Sequence, residues 1–427
     1  MKTIILGGGV AGVSLASYLD CDSVILESEE RIGGLCRSFA FAGGHFDIGP
    51  HILFSKDKVA LAELLASTET AQLRRSNKIF HKGSFVKYPF ENELSALPAD
   101  ERDRCLNEFL NNPYRDYPAK DMLQFFLKTF GEGITRLYLQ PYNEKIWKFD
   151  PAFMDTQMVE RIPRPPDDDI RKSAAGEATE GYLHQLYFNY PVDGGIESIP
   201  RGFFAKAGAK TSARTSVKIK SISKNADGWE VETDSGKFSA SQLVSCMPLH
   251  ELFKYIDAPA EIKTALAALK YNSIHIVMLK AAKDNIGANF AVNVADREII
   301  FHRLSRLNFL GPKYAPQGGG ATIMAEITFR PDSDLATWSG EKLIARVKDD
   351  LAKLGLATDI EEAVCKTFKY AYVIYDLEHK RNKTLVMDYL DELGITCCGR
   401  FAEFEYLNMD AVIAHSMATA KKICPKK

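Results

Sequence analysis

The sequence predicts an α/β protein of two or three domains. Three observations predict it: a strand, glycine loop, helix and strand in close succession at the N-terminus, a helix-patterned block at residues 98–160, and strand patterns from Thr215 onward. At 427 residues the chain is too long for one compact core.

Thr3 to Leu6 is a short apolar run bounded by glycine, the pattern of a buried parallel strand. Gly7, Gly9 and Gly12 then occupy the GxGxxG positions, Val13 to Leu19 reads as a helix, Ser23 to Leu26 as a second buried strand, and Glu27 stands at its end. This is a Rossmann-type nucleotide-binding unit, and each part has a physical task. Gly7 permits the turn, Gly9 lets a pyrophosphate approach the backbone, and Gly12 lets helix and strand pack closely. The helix N-terminus offers free N–H groups and partial positive charge to phosphates. Glu27 can accept both ribose hydroxyls, which selects adenosine without a 2′-phosphate. The expected nucleotide contacts here are Gly7, Gly9, Ala11, Gly12 and Glu27.

Residues 78–90 read as a hairpin turning at Lys82-Gly83, and residues 98–160 carry helical spacing, as in Met122, Phe125, Phe126, Thr129 and Phe130. Residues 163–169, Pro-Arg-Pro-Pro-Asp-Asp-Asp, read as a loop whose acidic run is a solvated turn. Val217-Lys218-Ile219 precedes an alternating hairpin, Trp229 to Thr233, that turns at Asp234-Ser235-Gly236. Leu243 to Pro248 is another buried strand, residues 272–281, 298–304 and 322–329 supply more, and Glu341 to Leu354 is an amphipathic helix.

The formal net charge of −2 argues against partnership with nucleic acid or an anionic membrane, so an anionic ligand needs local arginines. The eight cysteines lack CxxC spacing, and Cys397-Cys398 are adjacent and geometrically poor disulfide partners. They suggest thiols in a reducing cytosol, and a cytoplasmic location is the expectation. No signal peptide, 18-residue apolar run, repeat or metal-ligand spacing is visible. The oligomeric state is not legible in the sequence, and a dimer is compatible with it.

Glu27, Arg31, Gly33-Gly34 and Arg37 form an ExxxRxGGxxR pattern. It resembles the second fingerprint of the amine oxidase, protoporphyrinogen oxidase and UDP-galactopyranose mutase flavoproteins. The resemblance implies FAD rather than NAD, with Gly33, Gly34 and Arg37 on the cofactor. It also implies that the hairpin after Val217, itself a cofactor contact, returns the chain to the FAD domain. The implied fold is a discontinuous Rossmann-type FAD-binding domain (1–80, 190–250 and 385–427) with a mainly helical insertion (81–189) and a β-rich, antiparallel-sheet substrate domain (251–384).

Four further segments resemble UDP-galactopyranose mutase and its relatives: Gly49-Pro50-His51-Ile52-Leu53-Phe54-Ser55; Pro141-Tyr142-Asn143-Glu144-Lys145-Ile146-Trp147; Arg161-Ile162-Pro163-Arg164; and the long run from Gly399 to Asp410. The resemblance implies a nucleotide-sugar substrate, for surface polysaccharide synthesis. His51 and Arg400 would lie at the flavin, Tyr142 and Trp147 on the substrate wall, Arg164 and Arg303 on the diphosphate, and Tyr406 as a hydroxyl donor to phosphate. In that family reduced FAD carries the sugar through ring opening and reclosure with no net redox change. NAD(P)H is a candidate external reductant. Guanidinium forks pair with phosphate oxygens, and two of them would hold the anomeric carbon over the flavin. The bland alternatives are loop packing for His51, core aromatics for Tyr142 and Trp147, and a surface arginine for Arg164. The sequence also departs from the family: no tyrosine stands near Glu326-Ile327-Thr328, and Phe404 and Asn408 replace a tyrosine and an aspartate. Two rivals therefore stand beside the mutase: an FAD-dependent oxidase or desaturase using flavin as hydride acceptor, which the Asp193-Gly194-Gly195-Ile196 run suits equally, and a non-enzymatic flavoprotein of a glycan-assembly complex. An anion clamp favours the mutase; an aromatic cage favours the oxidase.

Overall fold

The computed structural model describes residues 2–160, 162–180 and 186–424. Its nucleotide-type sheet is parallel and five-stranded, in the order Thr396–Cys397, Gln242–Ser245, Lys2–Leu6, Asp22–Leu26, Thr211–Arg214. Ile4, Ile5, Leu6, Ile25 and Val244 are sealed from solvent, as strands covered on both faces require. The helix Val10–Tyr18 packs between the helices Ser198–Ala207 and Met409–Ile423. It begins three residues earlier than its apolar run suggests, directly after Gly9. A Cβ on Gly12 would stand 2.1 Å from the Gly7 carbonyl oxygen, so only glycine lets this helix sit so close to the loop that precedes it.

A second sheet has seven strands in the order Ala357–Val373, Tyr271–Asp284, Ala321–Phe329, Arg303–Arg306, Ala291–Val294, Asn77–His81, Ser84–Lys87. It is antiparallel except where Ala291–Val294 meets Asn77–His81. The hairpin around Lys82-Gly83 forms as its spacing predicts, but it extends this sheet, so the limit drawn at residue 80 cuts through one of the sheet's strands. The alternating hairpin Gly228–Thr233 and Gly236–Ala240 forms where its spacing predicts, with Thr233 opposite Gly236.

Three elements differ from the sequence reading. Residues 167–169 are not a loop: Asp167–Ala174 is a helix with three aspartates in its first turn and Arg171 and Lys172 in its last, charges that complement the helix dipole at both ends. The strand placed at 298–304 lies at Arg303–Arg306, because residues before it turn on an aspartate-capped bend at Asp296. The 17-residue strand Ala357–Val373 has no counterpart in the predicted elements. It is an edge strand, and Glu361, Glu362, Lys366 and Lys369 give it the charges that protect edges from pairing. Among the described residues no helix is long and apolar enough to cross a membrane.

Candidate functional site

A cleft of about 1390 Å³ runs from the glycine loops to the seven-stranded sheet. Its first end is lined by Gly7, Gly9, Ala11, Glu27, Gly34, Arg37 and Val217, seven residues the sequence singles out. Glu27 is nearly buried, and its carboxylate accepts the N–H of Gly8 at 2.6 Å and of Glu29 at 2.9 Å, which fixes it at the strand end beside the loop. The helix that follows Gly9 has no side-chain cap and no acid in its first turn, so its leading N–H groups suit a phosphate. Arg37 donates to the Gly34 carbonyl at 3.0 Å and pairs with Glu29 at 2.7 Å. Gly12 and Gly33 do not line the cleft. Gly33 donates to the Gly8 carbonyl at 2.8 Å and so ties the two glycine loops together.

The middle of the cleft joins Ile48 to His51, Cys246 to Pro248, Gly399-Arg400 and Leu407 to Asp410. Gly399 has a φ of +111°, and a Cβ there would meet the Ala11 side chain at 2.6 Å. The C-terminal motif thus closes against the N-terminal loop. Arg400 donates to the Leu407 carbonyl at 2.8 Å and lies 4.5 Å from the Tyr406 ring centre. Burial, together with Arg400 and Arg303, pushes His51 down to about 4, so at neutral pH it offers one N–H and one lone pair rather than a charge. Its Nδ1 is buried with no partner among the described residues. An orphaned ring nitrogen, uncapped helix N–H groups and a Cβ-sized gap beside Gly9 all fit a flavin dinucleotide.

The far end is lined by Phe54, Arg75, Asn77, Phe290, Arg303, Lys366 to Tyr372 and Tyr406. Arg303 meets Glu326 on the neighbouring strand, Nε to Oε1 at 2.6 Å and Nη2 to Oε2 at 2.7 Å. Glu326 is fully buried, and this bidentate pair is what makes its burial tolerable. Tyr372 stacks on Tyr406 with ring centres 6.0 Å apart and planes 13° apart.

Three residues selected for the substrate side, Trp147, Tyr142 and Arg164, do not line the cleft either. Trp147 lies behind it, edge-on to Tyr372 at 5.6 Å and to Tyr406 at 5.8 Å, and its indole N–H is held by Asn143 at 2.8 Å. It supports the tyrosine pair. Tyr142 gives its hydroxyl to Asn293 at 3.0 Å and stacks on Tyr138 at 5.3 Å. Arg164 pairs with Asp167 at 2.6 Å and covers the Phe109 ring at 4.3 Å. The structure therefore does not bring Arg164 and Arg303 together: Arg164 caps the acidic start of a helix that composition alone read as loop. Arg161 of the same motif lies outside the described residues.

Sequence reasoning missed Arg75 and Tyr372. Tyr372 was readable from the alternation Lys366, Phe368, Tyr370, Tyr372, which lines one strand along the cleft. Nothing local marks Arg75, which follows another arginine just before the hairpin.

Replacing Glu27 with alanine should lower the FAD retained after gel filtration and leave the chain folded, since the side chain anchors the loop at the expected ribose. FAD content equal to wild type by absorbance would remove Glu27 from the cofactor site.

Residues 10–375 match the flavin containing amine oxidoreductase family. In fold, the chain is similar to a reduced UDP-galactopyranose mutase (TM-score 0.87, 22% identity, covering 99% of this chain and 95% of that one). It is similar to a proposed protoporphyrinogen oxidase from Exiguobacterium sp. 255-15 (TM-score 0.77, 16% identity, 99% and 98% covered). It is also similar to a putrescine oxidase variant (TM-score 0.64, 13% identity, 100% and 99% covered). A 67-residue stretch, 15% of this chain, is 34% identical to an uncharacterised protein of Methanothermococcus thermolithotrophicus and spans 66% of that protein's length.

Proposed function

We propose that this chain, which belongs to the flavin-containing amine oxidoreductase family, rearranges the sugar ring of a nucleotide-sugar without net oxidation. The family implies FAD, whose reduced ring supplies the electron-rich partner that an anomeric carbon requires. The observation that carries the proposal is the charge of the cleft: Arg75 and Arg303 line its far end with Tyr372 and Tyr406, and Arg400 lines its middle beside the His51 loop. Guanidinium groups in a partly desolvated cleft bind phosphate oxygens more strongly than in water, and tyrosine hydroxyls add neutral donors. Held there, the diphosphate places the sugar toward His51, whose uncharged ring offers a hydrogen bond without competing for the anion. The Trp147 indole keeps the Tyr372–Tyr406 pair in place from behind. The product would feed polysaccharide assembly.

A second reading rests on a separate observation. Arg303 is already neutralised by Glu326, and Phe39, Phe54, Phe290, Phe368 and Tyr370 line the same cleft, an apolar wall suited to a hydride donor such as an amine. An anaerobic assay separates the two. Dithionite-reduced holoenzyme mixed with UDP-galactopyranose and other nucleotide-sugars should yield ring isomers by chromatography, with no reductant consumed per turnover. Oxidised enzyme that turns over amines with one oxygen reduced per product would overturn the mutase proposal.

A further inference from the structure

Apart from the cleft, the described residues form a second cavity, of about 350 Å³, and the two share no lining residue. It lies where the helix Gln140–Trp147 meets the turn before Arg303–Arg306 and the helix Gly340–Lys353. Lys145, Lys148, Arg297 and Arg346 line it against two carboxylates, Glu144 and Glu298. Glu144 is taken by Arg297, and Glu298 pairs with Lys353 at 2.5 Å. Arg346 is matched by Asp350 at 2.9 Å, whose other oxygen accepts the Ile300 N–H at 2.6 Å. The two lysines are left over. Lys145 is only 6% exposed, and its ammonium donates to the Val294 carbonyl at 3.0 Å and the Asp296 carbonyl at 2.6 Å. Its third N–H has no partner among the described residues. Lys148 ends the same helix in a left-handed conformation, φ +51°, and its half-buried ammonium meets no acceptor among the described residues. Burial first, and Lys148 next, push Lys145 down to about 7, against the smaller individual pulls of Asp296 and Asp350. Burial lowers Lys148 as well. The rest of the lining is apolar, chiefly Ile299, Ile300, Leu335 and Trp338. Two ammonium groups that disfavour each other's charge, beside an apolar wall, suit a ligand with a negative head and an apolar body.

We propose that this cavity is a second binding site, for a small organic anion whose carboxylate or phosphate head meets Lys145 and Lys148 and whose apolar body lies against Leu335 and Trp338. The site holds whichever reaction the cleft performs. A brace for the turn at 294–296 would account for the two carbonyl contacts of Lys145, but not for Lys148. A lysine at a helix C-terminus gains from the dipole equally in open solvent, whereas Lys148 stands in a cavity beside a second ammonium. Binding draws a proton to the site. Around Lys145 stand Glu144 and Lys148 on its own helix, Asp296, Arg297 and Glu298 on the turn, and Arg346 and Asp350 on the facing helix. His302 is also near and is held neutral by burial, and Glu326 on the adjoining strand is bound to Arg303. An anion favours the charged amine. Below about pH 7 Lys145 already carries its proton; above it, binding must bring one, so affinity falls as pH rises.

The test uses FAD-loaded protein and three probes, phenyl phosphate, benzoate and inorganic phosphate, titrated calorimetrically at pH 6 and pH 8 while the flavin spectrum is followed. Wild type should bind phenyl phosphate or benzoate, or both, more tightly at pH 6, with proton uptake at pH 8 seen by comparing buffers of different ionisation heat. Inorganic phosphate should bind at least about tenfold more weakly than phenyl phosphate, because it lacks the apolar body. Lys148→Gln should weaken the aromatic anions by about tenfold or more, Lys148→Arg should restore most of the affinity, and the flavin spectrum should stay unchanged on titration. A wild-type protein that binds neither aromatic anion overturns the site. Unchanged affinity in Lys148→Gln, or a flavin spectrum that shifts on binding, places the anion in the cleft and overturns it too. Inorganic phosphate bound as tightly as phenyl phosphate overturns the assigned ligand class. Should Lys148→Gln not fold, the wild-type protein still decides: binding without proton uptake at pH 8 removes Lys145 from the site.

Discussion

Arg303→Ala is expected to destabilise the protein by about 3–5 kcal/mol, the usual result of stripping one partner from a buried ion pair. Arg303 and Glu326 stand directly opposite on adjacent antiparallel strands, and the Glu326 side chain is 0% exposed. The nearby His302 ring lies 3.9 Å away and is held neutral by burial, so it cannot replace the guanidinium. The stranded carboxylate would take up a proton instead, which makes the deficit pH-dependent. With its folded pKa raised above the unfolded value, the mutant recovers stability as pH falls and loses it as pH rises. The double variant Arg303→Met with Glu326→Met should regain most of the loss, because replacing both charges removes the unpaired group. Urea unfolding at pH 5 and pH 8 checks both statements. A single mutant as stable as wild type at pH 8 would mean that the pair is not what anchors these strands. If the double mutant is stable yet does not turn over, Arg303 acts on substrate as well as on Glu326.

Legibility in this sequence followed the length scale of the interaction. The parallel unit at residues 2–27 was readable because each part is local: β-branched apolar residues, glycines at fixed offsets and a terminal acid. The hairpins at Lys82-Gly83 and Asp234–Gly236 were readable because turn chemistry is local too. The edge strand Ala357–Val373 was not, since its stability comes from pairing with Tyr271–Asp284 far back in the chain while its own residues carry charges. Site residues divide the same way. Gly7, Glu27, His51 and Arg400 lie in ordered motifs, and the structure places them along one cleft. Arg164 shares a motif but is drawn to the aspartates of its own helix, a short-range ion pair that the loop assignment of that stretch concealed. Arg75 reaches the cleft only through the way the ribbon and the large sheet meet, which no local pattern records.

Two glycines of the same N-terminal motif, Gly9 and Gly12, should respond to the same substitution in different ways. Gly12→Ala places a Cβ 2.1 Å from the Gly7 carbonyl oxygen and 3.3 Å from the Ile5 side chain, so backbone must move. Overpacking of this kind costs about 1–3 kcal/mol or more, and here it separates the helix Val10–Tyr18 from the central strand Lys2–Leu6. Gly9→Ala meets nothing nearer than the Gly34 α-carbon at 3.7 Å, and its φ of −68° is open to any residue. Flavin-free Gly9→Ala should therefore unfold at the wild-type urea concentration. Its Cβ, however, adds bulk at a position lining the cleft, where a pyrophosphate would need to touch backbone. FAD affinity should fall by at least about tenfold, close to 1.4 kcal/mol, as read by flavin fluorescence on reconstitution. Gly12→Ala loses stability first and FAD as a consequence; Gly9→Ala loses FAD alone. A Gly9→Ala protein that holds FAD as tightly as wild type would place the pyrophosphate away from this loop, and the Rossmann assignment of the cleft would fail with it.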